Sequence, residues 1–313
     1  VPSSGQEAYR PGLGSLLVFL AAVGFSFKSI LIKLAYGYGV DATSLFALRQ
    51  IFSAPFFAAL AIWSRDQALP RSALTRRDWL QLAGLGLLGY YVAAWLDFLG
   101  LRYISAGLER LILFLYPTIV LILSAWWLHK RVGRREIAAL VLSYGGMALV
   151  FAGHVTAPGG ERDLALGATL VFASAVAYSI YLIGSSRVVH RFGTVRFTAW
   201  AMLVATVVGV GQFLATHGLD SLRLPGPVYG LCAIMAIFST VVPALLMTEG
   251  LRRVGANHAA LVGTIGPVVT MILAALILDE AMEATQMAGA FLVLTGVLLV
   301  SLRPARVESP AEP

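Results

Sequence analysis

The sequence predicts an all-α polytopic membrane protein with ten transmembrane helices in two inverted five-helix repeats. Three observations predict it. First, 58% of the 313 residues are apolar and only 12% are charged, about half the charged share of an average soluble domain. Mean hydropathy is +0.82, and 23 basic and 16 acidic side chains do not cover a soluble protein of this size. Second, the apolar residues fall in ten runs of about 20, the length a helix needs to cross a hydrocarbon layer of roughly 30 Å. Third, the basic residues fall mostly between the runs, on alternating connections.

Taken in order, the first expected span is about 14–33. It carries Lys28 and Lys33 and lacks an A-x-A-like exit, so it is expected to be a retained helix and not a signal peptide. A start at Val1 instead of Met is what trimming or processing would leave. The second, 43–63, contains Arg49 and Pro55. The third, 79–98, combines Gly84, Gly86 and Gly89 with Tyr90, Tyr91, Trp95 and Phe98. The fourth, 105–127, has Glu109 and Arg110 near its start and Pro117 further on. The fifth, 136–153, contains Gly145-Gly146, small residues that allow close helix contact. After Thr156–Gly160 come 164–185, with Tyr178 and Tyr181, then 195–215, and 228–249 with Pro243. The last two are 257–278, with Asn257, His258, Gly263, Gly266 and Pro267, and 284–302. These runs are too long for outer-membrane barrel strands.

Sixteen of the 23 Lys and Arg lie in the N-terminal tail and the even-numbered connections, four lie on the opposite side, and Lys28, Arg49 and Arg110 lie within spans. The positive-inside rule then puts both termini in the cytoplasm. The basic connections suit topology and anionic lipid contact better than nucleic acid.

Tyr103–Val150, moved forward by 150 residues without gaps, aligns Pro117 with Pro267 and Gly146 with Gly296. It also aligns Ala106 with Ala256, Leu111 with Leu261 and Leu142 with Leu292. The chain therefore reads as two halves, 1–156 (spans one to five) and 160–313 (spans six to ten). An odd number of spans per half inverts the second relative to the first, the arrangement of many secondary transporters.

On these residues the chain resembles the drug/metabolite transporter superfamily in its ten-helix, two-repeat EamA-type form. The resemblance rests on Lys33, Leu48-Arg49, the run 103–127 leading to Pro117, the run 173–187, and above all 255–300 with Asp279-Glu280. One departure is His129-Lys130-Arg131, where the first half of such proteins often has a Gly-Glu pair. Within the superfamily the chain is most similar to bacterial aromatic amino-acid exporters. The resemblance implies a multi-pass inner-membrane exporter of small amphipathic metabolites, foremost aromatic and other large neutral amino acids. Same-fold export of nucleobases, sugars or cationic drugs is the nearest alternative, and a solute channel is the alternative of another class.

Charges inside spans mark functional positions by default. Lys28, with Ser26 and Ser29 beside it, can meet a substrate carboxylate, hold a gate, or pair with a nearby carboxylate. Tyr91, Trp95 and Phe98 recur at spacings of four and three and so share a helical face. With Tyr116, Tyr178 and Tyr181 they are the candidates for lining a cavity. Pro117 and Pro267, with Gly263 and Gly266, are hinge candidates, because proline removes a backbone donor and bends a helix. Arg49, Glu109 and His258 are candidates for gating or ion coupling. Asp97 is expected near mid-span if the third span is drawn long and otherwise at its extracellular end with Arg102; Glu109, if it is not a coupling residue, is expected to bridge to Arg102 or to neighbours of Arg110. Catalysis has no motif: there is no P-loop and no metal-ligand spacing. The single cysteine, Cys232, excludes an intrachain disulfide and a thiolate cluster. No cofactor and no obligatory protein partner are expected, and a monomer or weak dimer is.

Overall fold

A computed structural model describes residues 11–64, 74–127, 133–153, 160–263 and 265–301. The first-half helices are α1 (Pro11–Tyr36), α2 (Ala42–Trp63), α3 (Arg76–Gly86), α4 (Ala93–Gly100), α5 (Ala106–Leu113), α6 (Tyr116–Trp127) and α7 (Arg134–Gly153). The second-half helices are α8 (Gly160–Phe192), α9 (Thr194–Thr216), α10 (Gly226–Ala236), α11 (Val242–Gly263), α12 (Ile265–Ile277) and α13 (Ala284–Ser301). Among the described residues, eight stretches are long and apolar enough to cross a membrane. Three of them join consecutive helices: Arg76–Gly100, Ala106–Trp127 and Gly226–Met247.

The two remaining apolar helices, Ile265–Ile277 and Ala284–Leu299, are shorter. At 13 residues, α12 spans about 20 Å at 1.5 Å per residue, less than the roughly 30 Å of hydrocarbon. The ninth expected span differs because α11 continues through 250–256, where a connection was expected. That stretch has no proline, and its Leu, Arg and Ala favour helix over its two glycines. The change of helix falls instead between Gly263 and Ile265, beside Gly266 and Pro267.

Local chemistry fixes the helix starts. Asp41 caps α2, accepting the N–H groups of Thr43 at 2.8 Å and Ser44 at 3.0 Å. Thr75 and Asp78 form a reciprocal capping box on α3, and Asp78 also accepts from Arg191 of α8. Ser105 accepts the N–H of Leu108, while Glu280 accepts those of Ala106 at 3.0 Å and Gly107 at 3.4 Å. A carboxylate from the α12–α13 connection thus satisfies donors that a helix N-terminus leaves unpaired. The corresponding basic run, His129–Arg131, lies outside the described residues.

Two one-turn π segments, Leu87–Val92 and Ile237–Val241, interrupt the third and eighth membrane stretches. In them Ala93 donates to the carbonyl of Leu88, and Val242 to that of Ile237. Pro243 gives the second its cause, since it has no N–H for the Ser239 carbonyl one turn back. The two segments start 150 residues apart, as do α3 and α10, and α7 and α13.

Packing is reciprocal. α1 runs along α11 while α8 runs along α4, and α2 pairs with α9 and α7 with α13. Glycines set the closest approaches. A Cβ on Gly250 would stand 3.1 Å from the Gly14 carbonyl oxygen, and one on Gly100 would stand 3.0 Å from that of Gly167. Without a hydrophobic force between helices in lipid, such contact is what holds them together. The core between these pairs contains Ile30, Ile32, Leu45, Phe46, Phe98 and Leu101, and the outer surface keeps exposed Leu, Ile and Trp side chains.

Candidate functional site

Lys28 lies deep in α1, and two carboxylates converge on it. Its ammonium is 2.5 Å from Asp97 Oδ2 of α4 and 3.8 Å from Glu109 Oε1 of α5. Ser29 donates to Glu109 Oε2 at 2.6 Å. Asp97 and Glu109 are buried, and each leaves one oxygen, Oδ1 and Oε1, without a hydrogen-bond partner. The two carboxylates share this one ammonium at ion-pair distance, with Arg49 in electrostatic reach of Asp97, and Lys33 and Arg110 in reach of Glu109; charge this deep in a membrane bundle is costly unless it is compensated.

Of the two placements expected for Asp97 the structure has the inner one: the helix continues to Gly100, which puts the carboxylate a turn inside, on Lys28, while Arg102 is exposed. Glu109 does not reach outward to Arg102. It sits on the first turn of α5 facing α1, where the helix dipole favours a negative charge.

Above Lys28 on α1, Ser26 donates to the Gly266 carbonyl of α12 at 3.0 Å. The Arg110 guanidinium lies against the same glycine, with Nη2 3.2 Å from where a Cβ would be. Thr270 also donates to the Gly266 carbonyl, at 3.1 Å. Pro267 is the third residue of α12 and Pro117 the second of α6. Both hinge candidates therefore stand just after a change of helix, and Pro267 follows the glycine that Ser26 and Arg110 approach. Gly263 has open space at its Cβ position, whereas that of Gly266 faces the Arg110 guanidinium.

The aromatic candidates divide into two groups. Tyr116 of α6 packs edge-on against Tyr178 of α8 at 5.6 Å. Tyr178 lies 5.6 Å from Tyr181, whose hydroxyl donates to that of Tyr90 at 2.9 Å. Phe114 extends the series at one end and Phe197 at the other. Tyr91 and Phe98 instead face α2: Phe46 is 6.1 Å from Tyr91 and 5.5 Å from Phe98. Phe98, a candidate for lining a cavity, is fully enclosed. Arg49, a gating candidate, is buried with its guanidinium 5.2 Å from the Phe46 and Phe98 ring centres, a cation–π clamp. Trp95 is half-buried with its indole N–H unpartnered. The His258 side chain lies outside the described residues.

Arg110, Asp97 and Tyr90 are the members the sequence reading did not single out for the site. Their signal was present in part, since Arg110 is one of three basic residues inside spans. Tyr90 follows from the π segment, which no periodicity argument anticipates.

Among the described residues no group of three His, Cys, Asp or Glu side chains is placed to hold a metal ion. A separate groove of about 470 Å³ is lined by apolar side chains including Phe19, Ile265, Val268 and Phe291. Phe291 is largely exposed, so this groove opens on the outer surface of the helices.

Comparison with known proteins converges on one family. The model of the EamA-like transporter family matches residues 12–152 and 165–302. The transporter YcbK of Bacillus subtilis, described as uncharacterized, is 30% identical over 94% of this chain and 96% of its own length. The likewise uncharacterized YyaM of the same organism is 27% identical over 91% and 92%. YicL of Salmonella typhimurium, described as an uncharacterized inner membrane transporter, is 23% identical over 74% and 76%. A crystal structure at 17% identity superposes with a TM-score of 0.63, covering 95% of this chain and 99% of its own, and shows a shared fold.

Proposed function

We propose, from the premise that this chain belongs to the EamA-like transporter family, that its membrane-spanning transport of small metabolites is export of aromatic and other large neutral amino acids. The observation that carries this reading is a pair of unlike surfaces bridged by Arg110, which follows Glu109 on α5 and lies within electrostatic reach of Tyr116 and Tyr178. Lys28, Asp97, Glu109 and Ser29 offer charge and hydrogen bonds, and the Tyr116–Tyr178–Tyr181–Tyr90 series offers flat apolar faces with hydroxyls. An amino acid with a ring side chain has the same two parts, a charged head and a flat tail.

Movement proceeds by alternating access. Ten spans in two inverted repeats, 1–156 and 160–313, are the architecture behind it. The 150-residue spacing of the π segments and helix starts supports this, as does the reciprocal pairing of α1 with α11 and α8 with α4. In such pairs two similar halves exchange conformations around a mid-membrane site, and Pro117 and Pro267 are the pivots. The protein works in a bacterial inner membrane with both termini cytoplasmic, in contact with lipids, as a monomer or weak dimer and without a cofactor. Glu109 is the member that couples transport to protons.

The test is counterflow in liposomes holding only the purified protein. With unlabelled phenylalanine inside, labelled phenylalanine and tryptophan enter and transiently accumulate, and a pH gradient changes the initial rate. Exchange confined to a nucleobase or a cationic dye overturns the amino-acid assignment.

A further inference from the structure

Arg110 is the unused charge of the central site. It is half-buried on α5, one residue from Glu109. Among the described residues it has no carboxylate within ion-pair distance, and its Nε has no hydrogen-bond partner. Lys28 is taken by Asp97 and Glu109, and Arg49 by the Phe46 and Phe98 rings. Arg110 instead lies beside the Gly266 backbone, with Ser26 Oγ at 3.8 Å from the Gly266 Cβ position and the Tyr116 and Tyr178 hydroxyls within electrostatic reach. A side chain at 266 would press on the guanidinium, whose Nη2 lies 3.2 Å from the Gly266 Cβ position.

Resting on the carrier reading above, we propose that Arg110 is the specificity-determining anchor for the carboxylate of the transported solute, with Ser26 beside it and Tyr116 and Tyr178 receiving the rest of the molecule. A guanidinium presents donors in a fixed fork that matches a carboxylate. An unpaired one inside a membrane-spanning stretch is stabilised by an arriving anion instead of a resident one. The carboxylate can come from an amino acid or from a plain aromatic acid, and the experiment separates the two.

The purified protein is titrated with phenylalanine, phenylacetate, phenylalaninamide and phenethylamine, with binding read from thermal stabilisation and tryptophan fluorescence. Phenylalanine and phenylacetate bind the native protein, and the two probes without a carboxylate bind at least tenfold more weakly. Arg110→Gln weakens both carboxylates by about tenfold to a hundredfold and leaves the phenethylamine response unchanged. Arg110→Lys, which keeps the charge but not the fork, falls between and serves if the glutamine variant does not fold. Carboxylate binding unchanged in both variants overturns the assignment, as does a native protein that binds neither carboxylate. Phenylacetate binding through Arg110 without phenylalanine binding upholds the anchor and overturns the amino-acid reading. Phenylalanine counterflow insensitive to Arg110 does the reverse.

Discussion

Replacing Lys28 tests the central ion group most sharply. Lys28→Met keeps the length and apolar stem of the side chain but removes the only cation within ion-pair distance of Asp97 and Glu109 among the described residues. Their side chains are 2% and 0% exposed, so water cannot take over the missing charge. Breaking a buried pair by removing one partner costs about 3–5 kcal/mol. Here two carboxylates lose that partner at once, which places the expected loss at the upper end of the range. For a chain of this size each kcal/mol lowers the melting temperature by about 2–4 °C, so the variant should melt roughly 10 °C lower or more. The assay is fluorescence-detected gel filtration of heated samples in mild detergent. It includes Lys28→Met/Asp97→Asn, which removes one of the stranded charges and should recover more than half of the loss. An unchanged melting temperature in Lys28→Met, or a double variant less stable than the single, refutes the claim that these groups form one electrostatic unit.

Further predictions concern other parts of the molecule. Glu280→Ala removes the acceptor for the Ala106 and Gly107 N–H groups and should lower stability by about 0.5–2 kcal/mol, read as a melting shift, while Glu280→Gln keeps an acceptor and loses less. Gly146→Leu should separate α7 from α13, because even a Cβ there would come within 2.6 Å of the Gly289 carbonyl oxygen; loss of the monodisperse gel-filtration peak reports it. Tyr181→Phe removes the hydroxyl pair with Tyr90, costs about 0.5–1.5 kcal/mol, and should alter the order of preference among tryptophan, tyrosine and phenylalanine in counterflow. Asp41 predicts an acid effect. Burial pushes its carboxyl up, but hydrogen bonds from Ser44 and Thr43 and the nearby His217 outweigh burial and hold it below the usual carboxylate range. Its stabilising effect is therefore present above the unfolded value near 3.9 and lost as pH falls through the lower folded value. Asp41→Asn, which still caps the helix, should flatten the stability profile below about pH 4.

Much of the helical plan was legible in the sequence because hydropathy, charge placement and proline position are local. Spans one to eight fall within a few residues of where composition places them, and Pro117 and Pro267 stand at changes of helix. The misplacement of α11 and α12 has a physical cause. The arginines at 252 and 253 mark a connection by charge, yet nothing in 250–256 stops a helix. The aromatic face was legible only as a spacing. A π segment adds a residue to one turn, so Tyr90 joins Tyr181 on one side while Tyr91 turns to Phe46 on the other. The ion group was legible as three charges but not as a group, since Lys28 and Asp97 are 69 residues apart and only the packing of α1 against α4 and α5 brings them together. The acidic residue that distinguishes the second half, Glu280, has its role in a cap on the first half, which no pattern within one repeat reveals.

The most direct test of the account is two-sided access to Ser26. In a Cys232→Ser background, Ser26→Cys puts a thiol beside Gly266 and Arg110 at the centre of the site. In oriented vesicles a membrane-impermeant thiol reagent is applied from one side and then, in a separate sample, from the other. The account predicts labelling from both sides, slowed by phenylalanine in each case. Labelling from one side alone, or labelling from both sides that phenylalanine leaves unchanged, contradicts a solute site that opens alternately to the two faces of the membrane.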